Sequence, residues 1–112
     1  MSPAPPPTLR SMRARLTELL QTLPAAYVQN TLMASTDRNI ALALLGCEDA
    51  MEKDVLSRVA RAKADRVRQE LAISERRRVD SGHVRDALAL LLHALETSQA
   101  PTGRRSYWRP RR

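Results

Sequence analysis

The stretch Ser35-Thr-Asp-Arg-Asn-Ile-Ala-Leu-Ala-Leu-Leu-Gly46 carries a helix together with its own start and stop signals. Ser35, Thr36 and Asp37 offer side-chain oxygens that accept from the free N–H groups of a first turn. Gly46 is a natural residue just past the end, where the chain needs a left-handed conformation. Between them, Asn39–Leu45 is apolar nearly all round, which means burial rather than amphipathicity. A helix of this kind belongs inside an all-α domain.

Outward from it, the same period continues on both sides. Upstream, Leu9, Met12, Leu16, Leu19 and Leu23 step by three and four and mark one apolar stripe. Pro24 closes that helix and opens a second, short one, Ala25–Ala34, presenting Val28, Leu32 and Met33. Downstream, the pattern predicts one long helix over Glu48–Ala72, with Leu56, Ala60, Ala64, Val67 and Leu71 as its inner stripe. Its first turn is acidic (Glu48, Asp49, Glu52) and its later turns basic, the order the helix dipole prefers. Ser74–Val79, containing Arg76-Arg77-Arg78, reads as a turn. A last helix, Gly82–Glu96, capped by Asp80 or Ser81, faces inward with Val84, Ala87, Leu88, Leu91 and Leu95. Residues 1–8 hold four of the seven prolines and read as a disordered leader with no apolar secretory segment. After Thr97 the pattern stops. The expected organisation is a leader (1–8), a helical domain (9–99) and a basic, disordered tail (100–112).

Composition agrees. The 112 residues are 43% hydrophobic but only 3% aromatic, with no Phe, so the core must be built from Leu, Ala, Val and Met. That favours packed helices over a β-sandwich. The longest apolar runs are far shorter than the roughly 18–20 residues a membrane span needs, so a cytoplasmic chain is expected. Net charge is +7, but five arginines lie in the last nine residues and the rest of the chain carries only +2.

No catalytic constellation stands out, and an enzyme is not expected. His83 and His93 are ten residues apart and cannot readily grip one ion with Cys47. Cys47, beside a helix start, has a site where a thiol pKa can be lowered, although a small residue filling a tight turn explains it as well. The three glycines do not compose a phosphate-cradling loop. No metal or cofactor is implied. Two features remain as candidate binding sites. The first is the charged face of the long helix, with Arg58, Arg61, Asp65, Arg66 and Glu70; internal pairs Arg61–Asp65 and Arg66–Glu70 would stabilise it by about 0.2–0.5 kcal/mol each. The second is the tail, where Arg104, Arg105, Tyr107, Trp108, Arg109, Arg111 and Arg112 interleave aromatics with cations. Such a mixture suits single-stranded nucleic acid or an anionic membrane surface.

The segment Leu23-Pro-Ala-Ala-Tyr-Val-Gln-Asn-Thr-Leu32, then Asp37-Arg-Asn-Ile-Ala-Leu-Ala-Leu-Leu-Gly46, resembles the C-terminal domain of the flagellar motor switch protein FliG. Leu56-Ser-Arg-Val-Ala-Arg-Ala-Lys-Ala-Asp-Arg-Val-Arg-Gln-Glu-Leu71 falls on that family's long charged helix, and Val79–Glu96 on its closing segment. The resemblance covers residues 10–97; its most specific element is the Ala-Leu-Ala-Leu-x-Gly turn at 41–46. It implies a compact five-to-six-helix armadillo-like domain with no cofactor, whose long-helix charges face a stator or rotor protein at the inner membrane, in the flagellar basal body. Self-association through apolar helix faces, as in stacked repeats, is a further expectation. The charged positions depart from the family: Leu45 replaces its Lys, Ala62 its mid-helix Arg, Gln69-Glu70 its acidic pair, and Asp80 its Arg. The family's other two domains have no counterpart here.

Overall fold

The computed structural model describes residues 7–98. Six helices follow in order: α1 (Leu9–Thr22), α2 (Ala25–Ala34), α3 (Asp37–Leu44), α4 (Asp49–Ser57), α5 (Arg61–Arg76) and α6 (Ser81–Ser98). The chain is therefore all-α among the described residues, as its periodicity predicts. The tail from residue 99 and the leader before Pro7 lie outside the described residues.

Local chemistry sets most of the boundaries. Thr8, the last residue of the expected leader, is the N-cap of α1: its hydroxyl accepts from the Ser11 N–H at 3.0 Å and its own N–H donates to Ser11 Oγ at 3.0 Å. Pro24 opens α2, and Val28 N–H donates to the Pro24 carbonyl. Thr36 caps α3 by accepting from Asn39 N–H at 3.0 Å. Asp80 Oδ1 accepts from Gly82 N–H at 3.1 Å at the start of α6. Gly46 closes α3 with φ +82°, the left-handed conformation expected of it.

The Gly46 turn also makes a close contact. Arg13 of α1 reaches across and donates from Nη2 to the Leu45 carbonyl at 3.1 Å, satisfying an acceptor that the end of α3 leaves open. A Cβ on residue 46 would stand 3.0 Å from that Nη2. Gly46→Ala is thus expected to destabilise the domain by about 1–2 kcal/mol, chiefly from the left-handed backbone. Urea denaturation at unchanged m-value checks this, and an unshifted midpoint would refute it.

The predicted long helix is two helices. No proline or glycine divides it; the break at Arg58–Ala60 has other causes. Ser57 Oγ donates to the Asp54 carbonyl at 2.7 Å, an alternative to continuing the ladder. Ala60 is extended (φ −59°, ψ 148°), and its N–H donates to Met33 Sδ at 3.4 Å. Val59 is buried at the bend while Ala60, expected on the inner stripe, is exposed. Two further readings are corrected. Met33 is 41% exposed rather than inward, its sulfur serving the α4–α5 junction. The turn expected over Ser74–Val79 begins later, because Ser74 is buried within α5.

The core centres on α3 and α6. α3 packs against both α5 and α6, and α6 also packs against α1 and α2. Val84, Ala87, Leu88, Leu91 and Leu95 of α6 are all buried, as are Ile40, Ala41, Ala43 and Leu44 of α3. Every expected stripe residue of α1 except the partly covered Leu9 is buried as well. The buried apolar residues are aliphatic throughout, so packing rests on branched side chains interlocking at helix crossings. No described helix is long and apolar enough to cross a membrane.

Candidate interaction surface on helix α5

Helix α5 turns Lys63, Ala64, Val67, Leu71 and Ser74 inward, leaving Arg61, Asp65, Arg66 and Arg68 exposed on its other side. The helical period accounts for this division, with one exception. Lys63 occupies the apolar register Val59–Lys63–Val67–Leu71 and its side chain is only 7% exposed.

A lysine in that position needs partners. Its Nζ donates to the Ser35 carbonyl at 2.7 Å, at the C-terminal end of α2, and to Asp37 Oδ1 at 2.9 Å. The other Asp37 oxygen, Oδ2, accepts from Arg66 Nε at 2.8 Å. One carboxylate thus bridges two cations of α5 and fastens that helix to the α2–α3 corner. The hydrogen bonds from Lys63, and then from Arg66, hold the Asp37 carboxyl below the usual aspartate range. The sequence marks Asp37 only as a capping residue, and charge counting singles out neither it nor Lys63. The four-residue spacing that places Lys63 on a buried stripe was the available signal.

The five residues expected on the charged face divide between two helices. Arg58 is the C-cap of α4, partly buried, with its Nε donating to Asp54 Oδ1 at 2.9 Å. Arg61 opens α5, exposed and without an ion-pair partner among the described residues. Asp65 accepts from Arg68 Nη1 at 3.1 Å. The expected pairs Arg61–Asp65 and Arg66–Glu70 do not form. Arg68, three residues on, takes Asp65, and Asp37 on the neighbouring helix takes Arg66. Glu70 stays partly covered and unpaired among the described residues. Three consecutive exposed arginines follow, Arg76 at the end of α5 and Arg77 and Arg78 in the turn after it. The tail candidates Arg104, Arg105, Tyr107, Trp108, Arg109, Arg111 and Arg112 lie outside the described residues.

Other reactive groups are apart. Cys47 is half-buried with its Sγ–H directed at the Ala43 carbonyl, 3.5 Å away. Burial pushes its thiol pKa up, outweighing the nearby Arg13, so the lowered pKa considered from sequence is not found. His83 and His93 are both exposed on α6. Among the described residues no three His, Cys, Asp or Glu side chains converge as a metal site would require. A hollow of about 420 Å³ between α1 and the α3–α4 turn is lined by Arg10, Arg13, Thr17, Cys47 and Glu48, among others. It holds no nucleophile hydrogen-bonded to a base.

The features together define a small helical domain with a charged external helix face. Comparison of the chain with protein-family models, with curated proteins and with solved structures gives no match.

Proposed function

We propose that this chain is a non-enzymatic protein-interaction module of the FliG C-terminal type. It docks a partner through the outward face of α5, with Arg61 and Arg66 supplying attraction, Asp65 and Glu70 orientation, and Arg58 flanking them from the end of α4. The observation that carries this reading is Arg61, an exposed cation at the start of α5 whose own helix leaves it unpaired among the described residues. Around it, positive and negative groups recur at helical spacing on a rigid element. Such a pattern selects a partner by matched charge and sets its register more than its raw affinity. An acidic segment of a stator or rotor protein at the cytoplasmic face of the inner membrane is the partner that the resemblance at residues 10–97 points to.

Arg61→Glu is the sharpest probe, because the side chain is exposed and supports no neighbour. Binding of a partner captured from the source cells should weaken at least tenfold, with a reduced salt dependence, while helical CD is unchanged. Arg61→Glu combined with Arg66→Glu should abolish it. Unaltered affinity in both variants would remove this face from consideration. Retention of nucleic acid or anionic vesicles only by the full chain, and not by residues 1–100, would shift the function to the basic tail.

A further inference from the structure

Met33 of α2 combines two properties that neither the core nor the α5 face accounts for. It is 41% exposed, and its Sδ accepts from the Ala60 N–H at 3.4 Å. Ala60 is the N-cap residue of α5, where no side chain closes the helix start. The α4–α5 junction thus rests a backbone donor on a thioether whose side chain solvent reaches. The other described methionines are placed differently. Met12 is 5% exposed, and Met51 is partly covered and packed against the core. Cys47 is half-buried, and burial pushes its thiol up, so little of the reactive thiolate forms.

We propose that Met33 is a modification site, oxidised by a hydroperoxide to the sulfoxide, and that this oxidation releases the α4–α5 junction from α2. In that step an Sδ lone pair attacks the terminal oxygen of the hydroperoxide. The S–O bond forms as the O–O bond breaks, and the sulfur is oxidised by two electrons. The leaving oxygen takes the proton of the terminal one and departs as an alcohol, or as water from hydrogen peroxide. The contact then changes sign. Oxygen draws density from sulfur, so the Ala60 N–H faces a partial positive charge where it had an acceptor, at the positive end of the α5 dipole. The N–H turns to water. The body of α5 stays in place, because Lys63 holds the Ser35 carbonyl and Asp37, two and four residues beyond Met33. The change is confined to residues 58–61, which include Arg58 and Arg61 of the proposed docking face. The modification and the release do not depend on that face binding a partner.

Dilute hydrogen peroxide on the full chain, read by peptide mapping and by amide exchange in NMR spectra, tests both parts. Met33 is the only methionine between residues 16 and 38, so its conversion is followed in a single peptide. It should oxidise several-fold faster than Met12 and Met51. Exchange of the Ala60 N–H should then rise several-fold with far-UV CD unchanged, and methionine sulfoxide reductases acting on both epimers should reverse it. Met33→Leu should show the faster exchange before peroxide and no further change after it. Equal oxidation of the three methionines would overturn the site. Unchanged Ala60 exchange after conversion of Met33 would overturn the release. Slower exchange would do the same, because the sulfoxide oxygen would then have taken over the N–H. Loss of helical CD on conversion would also overturn it, since the change would not be confined to the junction.

Discussion

Asp37→Ala should destabilise the domain by about 2 kcal/mol, less than the range for breaking a fully buried ion pair by removing one partner, because Asp37 itself is 27% exposed. The loss comes less from the missing attraction than from what stays behind. Lys63 is 7% exposed and would keep its charge with only the Ser35 carbonyl to receive it. Lys63→Met removes the buried charge itself and retains an aliphatic stem of similar length, so it should cost far less, about 1 kcal/mol or nothing. In that variant Asp37 still has Arg66 at 2.8 Å and still sits in the first turn of α3, where a negative charge is favourable. The double variant should be more stable than Asp37→Ala alone, and that inversion is the decisive reading of a denaturation series. Equal losses in the two single variants would mean that the contact is worth only its packing. Acid provides a second check. The Asp37 carboxyl is held below its unfolded value, first by Lys63 and then by Arg66. Its contribution is therefore complete above the unfolded pKa, about 3.9, and is lost as pH falls through the lower folded value. Below about pH 4 the wild type should lose stability more steeply than Asp37→Asn, which has no carboxyl to titrate.

The same cluster explains why part of the candidate surface was legible and part was not. Arg61, Asp65 and Arg66 follow from the helical period alone, because positions opposite Val67 and Leu71 must face outward. Their pairing does not. Spacing on a single helix offers Arg66 to Glu70, whereas Asp37 becomes available only after α3 and α5 have packed, its Oδ2 then accepting from Arg66 Nε at 2.8 Å. The break between α4 and α5 is hidden for a similar reason. Glu48–Ala72 contains no helix-breaking residue and has charges ordered for one dipole. The bend is decided by the Ser57 hydroxyl, by the burial of Val59 and by a thioether from α2 that receives the Ala60 N–H. Two of those three influences come from outside the segment. Arg58 consequently moves off the face on which its register had placed it. By contrast, the cap and stop of α3 and the inner stripe of α6 were readable because each rests on local chemistry and one uninterrupted period.

Helix α6 offers the steepest contrast between neighbours. Leu91 is fully buried and Leu90 is 59% exposed, though they are consecutive residues. Leu91→Ala should cost about 3–5 kcal/mol, from lost transfer energy and from a cavity the surrounding helices cannot close. The upper end applies because α6 packs against α1, α2 and α3 together; a shift of α6 to fill the void at one contact opens another. Against a total stability of about 5–15 kcal/mol for a domain of this size, the variant should unfold at a much lower urea concentration, or be partly unfolded at 37 °C. Leu90→Ala should stay within about 0.5 kcal/mol of wild type, since an exposed leucine gives up little on truncation and alanine is at least as good a helix former. Denaturation of the two variants side by side fixes the rotation of α6 about its own axis. Equal losses would mean that α6 presents a different face to α3.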